Sequence, residues 1–307
     1  MKATWAIIAN PLAGTRSKSS SWKEIRRILS DAGLSFEIFF TQSAGHAETL
    51  AQELVAQGFD RIAVLGGDGT FSEMVNGLMS LPQRSESLEI GVLPFGTGND
   101  WGRYWGLDRD LKKSARVLAA SHTTMIDIGK ITFHGSDKDE VRYFDNAFGM
   151  GFDAKVVALS ERMQRLFKGH SWTYSLAVLM SIFANRSQTM RFVLPDTEWE
   201  HLVYTVSVGN GRYTGGGIKQ TPQADATDGM LDIMAMENLS LAKIAKGVRL
   251  LFTGRLLEHP SVHIWRTAGF TVASEKGIYT ELDGILHEPV LSLEVELLPQ
   301  ALRFVCP

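Results

Sequence analysis

The chain has 307 residues, of which 44% are hydrophobic, and a formal net charge of −3. That length and apolar content suit two domains with buried cores, while the near-neutral balance excludes the basic footprint of a nucleic-acid-binding protein and any global attraction to an anionic membrane. A single cysteine, Cys306, excludes an intramolecular disulfide and fits a cytoplasmic protein.

In chain order, residues 4–9 form a short apolar run broken by Asn10-Pro11, which reads as a first strand and not as a signal peptide. Strand-like runs follow at 34–41, 61–65 and 90–93. Between and after them, helical spacing occupies 20–31 (Trp22, Ile25, Ile28, Leu29), 46–57 (Leu50, Leu54, Val55), 71–79 (Phe71, Met74, Val75, Leu78, Met79) and 110–120 (Leu111, Ala115, Leu118). Such alternation predicts a parallel sheet with helices on both faces. From Met125 onward the texture changes to short β-type runs at 125–133, 141–148, 190–194, 201–208, 230–236, 262–265, 268–273, 278–282 and 290–297. An antiparallel sandwich is expected there. Helical insertions are expected at 153–168, 172–184 and 240–252, where the apolar residues either line a lipid cavity or form ordinary core. The longest apolar stretch, 172–184, is shorter than the roughly 20 residues that span a bilayer, so no transmembrane segment is expected.

Two turns stand out for their chemistry. Gly66-Gly67-Asp68-Gly69-Thr70 directly follows the apolar run 61–65, and Gly96-Thr97-Gly98-Asn99-Asp100 follows the run that ends at Pro94. Glycines let backbone N–H groups close on phosphate oxygens, and a helix starting just after the first turn would aim its dipole at the same place. Two such turns at strand ends are what a nucleotide site in an open α/β sheet looks like. Neither is a Walker loop, and Gly14-Thr15-Arg16-Ser17-Lys18-Ser19 lacks the second glycine that loop requires.

These turns, together with Asn10-Pro11, Ala13-Gly14, Glu73, Asn76-Gly77, Asp127-Ile128-Gly129, the segment 146–153, Gly209-Asn210-Gly211 and Asp228-Gly229-Met230-Leu231-Asp232, resemble the diacylglycerol kinase catalytic domain family. Sphingosine kinases and bacterial lipid kinases share these features. The resemblance runs over nearly the whole chain. It implies an N-terminal α/β domain of the NAD kinase and phosphofructokinase type at 1–125 that binds ATP, and a C-terminal antiparallel β-sandwich domain at 126–297 that takes the lipid, with the strand at 298–307 returning to the first domain. The implied reaction is Mg-dependent transfer of the γ-phosphate of ATP to a hydroxyl of diacylglycerol or a related lipid. The lipid would be met at a membrane surface by a cytoplasmic protein in transient peripheral contact, with no nucleic-acid partner; a homodimer is compatible with the sequence.

By the same resemblance, Asn10, Thr41, Gly66, Gly67, Asp68, Gly69, Thr70, Phe71, Ser72, Glu73, Gly96, Thr97 and Asn99 would hold ATP. Asp68, Asp100 and Asp127 would form a carboxylate network around the catalytic magnesium, whose preference is for hard oxygen ligands. Asp100 also reads as a helix cap and Asp127 as a domain junction. Asp153 corresponds to an acid that recognises lipid headgroup hydroxyls, or starts a helix. Asp225, Asp228 and Met230 match a second, structural magnesium site, and Asp228-Gly229 equally reads as a hairpin turn.

One departure bears on catalysis. The family usually carries Asp-Gly-Glu near the C-terminus with the glutamate as general base, whereas this chain has Glu281-Leu282-Asp283-Gly284-Ile285. If the backbone stays extended there, positions 281, 283 and 285 share a face, and Asp283 is the nearer substitute for the missing glutamate, ahead of Glu281. Asp283 also reads as the first position of an Asp-Gly hairpin turn. The alternatives to a lipid kinase are a lipid-binding regulatory pseudokinase, suggested by Ile285, and an NAD kinase, which shares the acidic glycine turn.

Overall fold

A computed structural model describes residues 4–14, 22–107, 110–135, 137–151, 187–237, 243, 246–247, 249–250 and 254–307. They divide into two compact units: Met1–Ile128 with Gly215–Gly217 and Leu298–Pro307, and Gly129–Thr214 with Ile218–Leu297. Asp153, the expected helices at 153–168 and 172–184, and most of 240–252 lie outside the described residues.

The first unit is built on β1 (Trp5–Ala9), β2 (Phe36–Phe40), β3 (Arg61–Gly66) and β4 (Glu89–Pro94), all parallel in the order β2-β1-β3-β4. Arg303 and Phe304, near the C-terminus, add in parallel beside Glu89 and Ile90 of β4. The helices are α1 (Trp22–Asp31), α2 (His46–Ala56), α3 (Asp68–Met79), α4 (Asp100–Tyr104) and α5 (Leu111–Ala120). Because side chains alternate across a strand, Trp5, Ile7, Ala9, Ala63, Leu65 and Leu93 share one face, where they pack with Ile25 and Leu29 of α1 and Ala115 and Leu118 of α5. Ala6, Ile8, Ile62 and Val64 are equally buried on the other face, where α2 meets β1 and α3 meets β3. Burial on both faces is why these strands read as unbroken apolar runs and not as alternating ones.

In the second unit β5 (Thr123–His134), from Gly129 on, pairs antiparallel with β6 (Glu140–Phe144). The remaining strands are β7 (Ala147–Gly151), β8 (Gln188–Leu194), β9 (Thr197–Gly209), β10 (Leu231–Glu237), β11 (Val262–Thr267), β12 (Gly269–Leu282) and β13 (Ile285–Val305). Two long strands fold this unit into an antiparallel sandwich. β9 pairs with β8 through residues 197–203 and with β7 and β10 farther on, while β12 pairs with β8 at 271–273 and with β7 at 280–282. Strands that change partners in this way make the corners of a sandwich. The core between them includes Phe144, Phe148, Met190, Phe192, Val206, Ile233 and Phe270.

Several boundaries differ from the sequence reading: the run 141–148 is two strands, β6 and β7, and the runs 201–208 and 290–297 are parts of the longer β9 and β13. The runs 268–273 and 278–282 are one strand, β12, because polar Ser274-Glu275-Lys276 interrupts the apolar alternation without taking the backbone out of the sheet; the pairing with β13 shifts register between Ala273 and Ile278 and again between Ile278 and Thr280. α3 begins at Asp68 and not at 71, since its first turn is polar and glycine-containing and gives no apolar periodicity.

Candidate active site

Backbone bonds past the strand ends line up the first unit's candidates. The N–H of Asn10 donates to the Leu65 carbonyl (3.1 Å), that of Thr41 to Ala9 (2.9 Å) and that of Phe95 to Gly66 (2.7 Å). Residues just beyond β1, β2, β3 and β4 therefore form a row along the carboxyl edge of the parallel sheet, the edge where open α/β sheets bind ligands. Asn10 closes this row onto α3, its Nδ2 donating to Thr70 Oγ1 at 3.2 Å.

The two glycine turns touch. A Cβ placed on Gly96 would lie 2.4 Å from the Cα of Gly67, so no larger residue fits there without moving backbone. Asn99, in the left-handed region at φ 54°, holds the second turn: its Oδ1 accepts the Gly96 N–H at 2.8 Å and its Nδ2 donates to the Gly96 carbonyl at 2.9 Å. Beside them α3 starts at Asp68 with Gly67 as N-cap and no side chain capping it. Its first N–H groups have no partner within the helix and, with the dipole of a 12-residue helix behind them, favour an anion.

Two carboxylates converge at this point. Oδ1 of Asp68 accepts the Trp101 N–H at 3.1 Å, and Oδ2 of Asp100 accepts the Gly216 N–H at 2.7 Å. The other oxygen of Asp68 faces Gly98 closely enough that a Cβ there would lie 2.9 Å from it and 3.6 Å from Asp100 Oδ2. Asp100 Oδ1 is buried without a hydrogen bond, with Arg103 Nε at 3.7 Å. Burial, reinforced by the neighbouring Asp68, pushes the Asp100 carboxyl up to about 6 against the opposing pull of the Gly216 N–H and Arg103. Two hard oxygen donors, one of them orphaned, fit a divalent cation that completes its shell with water and phosphate.

Aromatic packing fixes the backbone that carries these groups. Trp101 is buried and stacks on Phe71 (5.9 Å between centroids) and Tyr104 (5.5 Å), and Phe304 meets Trp101 edge-on at 5.6 Å. The Trp101 amide that holds Asp68 is thereby anchored to both α3 and the C-terminal strand.

The other candidates are used differently. Glu73 accepts the N–H groups of Gly45 (2.8 Å) and Ala47 (3.2 Å) and so caps the start of α2. Asp127 is buried and accepts the Gln300 N–H at 2.7 Å, and among the described residues no group of three acidic, histidine or cysteine side chains is placed to hold a metal ion directly. Thr41 is buried at the end of β2, Thr97 is exposed on the second turn, and Phe71 and Ser72 are buried within α3. Sequence reading missed Gly216 and Arg103. The run Gly215-Gly216-Gly217 was the available signal, but its contact with Asp100 spans 116 residues of chain.

In the second unit the extended backbone assumed at 281–285 is contradicted. Asp283 (φ 47°) and Gly284 (φ 85°) are the two-residue loop of the β12–β13 hairpin, with Leu282 paired to Ile285. Positive φ at both positions is what a type I′ turn demands, and it accounts for the Asp-Gly pair. Paired residues share a face, so Ile285 goes with Leu282, whereas Glu281 pairs with Leu286 on the opposite one. The Asp283 carboxylate accepts the N–H groups of Asp145 (3.2 Å) and Ala147 (2.9 Å), and Glu281 accepts the Gly284 N–H (2.9 Å). In the Asp225–Met230 loop the acidic side chains are engaged within the fold. Asp225 Oδ1 accepts from Thr227, Asp228 Oδ1 accepts the Met230 N–H at 3.0 Å, and Asp228 Oδ2 is taken by Arg266.

The two-domain fold has counterparts among known proteins. Residues 4–131 match the diacylglycerol kinase catalytic domain, and residues 146–306 match the YegS C-terminal NAD kinase beta sandwich-like domain. A diacylglycerol kinase of Mycobacterium tuberculosis is 29% identical over 98% of this chain and 94% of its own length. One from Staphylococcus saprophyticus is 26% identical over 92% and 89%. A crystal structure of a diacylglycerol kinase from Bacillus anthracis has the same fold, with a TM-score of 0.71 at 21% identity over 99% of this chain and 97% of that one. No helix among the described residues is long and apolar enough to cross a membrane. With one domain model matched over residues 4–131 and the other over 146–306, the chain belongs to the diacylglycerol kinase catalytic domain family of lipid kinases.

Proposed function

We propose that this enzyme transfers the γ-phosphate of ATP, with magnesium, to a hydroxyl of diacylglycerol or a lipid of similar headgroup, working at the cytoplasmic face of a membrane. The observation that carries this reading is the convergence of Asp68 and Asp100 over Gly98, beside two touching glycine turns and the open N-terminus of α3. The N–H groups of that first turn, with Thr70 and Asn10, would cradle phosphate oxygens, while Asp68 and Asp100 would hold the cation. Bound magnesium would neutralise charge developing on the transferred phosphoryl group. Trp101 and Gly216 donate to the two carboxylates and so fix where their remaining oxygens point.

Phosphoryl transfer asks mainly for positioning and charge neutralisation, because the loose transition state leaves the attacking hydroxyl's proton until late. A chain with Ile285 in place of a glutamate can therefore turn over, only more slowly. Asp283 serves as a positioning residue that ties the β6–β7 corner to the β12–β13 hairpin. Ile285 also favours a second reading, in which the protein binds lipid and nucleotide with negligible transfer.

The test is transfer of radiolabelled phosphate from ATP to a panel of lipids, with magnesium and with chelator, resolved by chromatography. Label in diacylglycerol or a related lipid that vanishes with chelator is the expected result. Retained ATP binding with no labelled lipid would favour the second reading, and label in NAD would indicate an NAD kinase.

A further inference from the structure

The segment Asp225–Met230 is where the family resemblance calls for a structural divalent cation, and the side chains there do not fit one. Asp228 stands at the turn into β10, with Gly229 in the left-handed region at φ 75°. Asp232 lies four residues on in β10, directly paired with Arg266 of β11. From that position the Arg266 guanidinium reaches both acids: Nη2 bonds Asp228 Oδ2, and Nε lies 3.4 Å from Asp232 Oδ2. Asp232 is buried, and its Oδ2 has no hydrogen bond, so the arginine is the positive charge that faces it. The remaining oxygen of Asp228 is used by the Met230 N–H, which closes the turn.

We propose that Arg266 is a built-in replacement for the structural cation: one fixed guanidinium bridges the turn acid and the strand acid, and the loop holds its shape with no divalent metal. A planar fork with several donors suits two carboxylates that a compact ion would otherwise draw together. The proposal carries a converse. Removing the guanidinium leaves Asp228 and Asp232 as two uncompensated acids on one hairpin, and that pair should then bind the cation the native loop does without.

The experiment is thermal melting of the full chain in EDTA and in millimolar MgCl2 or CaCl2. A background of Asp68→Asn with Asp100→Asn removes the first unit's carboxylate pair from the comparison and makes the result independent of catalysis. With Arg266 native, the melting temperature should be the same in chelator and in either salt. Arg266→Ala should melt several degrees lower in EDTA and recover most of that loss in magnesium or calcium, since an ion that binds only the native state stabilises it. Arg266→Lys should stay near the native value and stay indifferent to the ion. If Arg266→Ala fails to fold, Arg266→Gln is measured in its place. The proposal is overturned if the native-Arg266 protein is stabilised by the ions and loses that response on Asp228→Asn. It is overturned equally if the arginine variant melts as native in EDTA, or melts lower and is not rescued by either ion.

Discussion

The two units place aspartates beside glycines for opposite ends. In the first, Asp68 and Asp100 each spend one oxygen on a backbone N–H and turn toward each other over Gly98, leaving Asp100 Oδ1 buried and unbonded. In the second, Asp283 spends both oxygens on the Asp145 and Ala147 amides, and Asp228 spends its two on Met230 and Arg266. An acid whose oxygens are consumed by the fold stabilises a turn. One left incompletely served, next to a second acid, carries an electrostatic cost that a bound cation relieves.

Replacing Asp68 should produce the largest effect. Asp68→Ala is expected to lower lipid phosphorylation by on the order of 10²- to 10³-fold, the scale of losing a preorganised electrostatic contact. Its melting temperature should barely move, because a half-buried acid at an open helix start contributes little to the core. Near-native turnover in this variant would dissolve the contrast between the units.

Ile285→Glu should act in the other direction. A carboxylate placed on the hairpin where the family has its base is expected to raise turnover, by up to about 10²-fold if a full general-base contribution is restored. Unchanged turnover would mean that proton removal does not limit the reaction.

Asp283 should behave as the converse of Asp68. Asp283→Ala removes the acceptor for two backbone amides and places a Cβ-bearing, non-Asx residue at φ 47°, so a stability loss of roughly 2–3 kcal/mol is expected from the charged hydrogen bonds. Activity per folded molecule should fall only modestly. A large drop in turnover with an unchanged melting curve would return Asp283 to the chemistry.

The smallest effect concerns pH. Because the folded Asp100 carboxyl sits at about 6, above its ordinary 3.8, the native state holds a proton that the unfolded chain has already released between those values. Stability from this group is therefore full below about pH 4 and declines as pH rises through 6. Asp100→Asn removes the decline. In chelator, the wild type should lose a few degrees of melting temperature relative to this variant between pH 4 and pH 7, and magnesium should narrow the gap. A gap that is flat with pH would mean that the carboxylate is already compensated.

What was legible in the sequence follows the same division. The strand–turn–helix unit around 61–79 and the strand–turn at 90–100 could be read because strands buried on both faces give unbroken apolar runs and their ends carry glycine. The sandwich could be read from its many short β runs, but β12 was split in two where its solvent-facing residues turned polar. Gly216 and Arg103 escaped because what they do depends on tertiary placement: the strap that meets Asp100 is distant in the chain, and the arginine is simply one helical turn beyond the acid. Asp283 carried two readings that local sequence alone does not separate. Asp-Gly between two apolar positions is a strong hairpin signal, and of the two readings the sequence offered it is the hairpin that forms, not the extended backbone of a general base.

The claim that the first unit's carboxylate pair receives metal and nucleotide is tested most directly by calorimetric titration of a non-hydrolysable ATP analogue into wild type and Asp68→Ala, each with magnesium and with chelator. The account predicts binding by wild type that weakens at least tenfold in chelator, and weak binding by Asp68→Ala that chelator no longer changes. Equal affinity in all four titrations would contradict it.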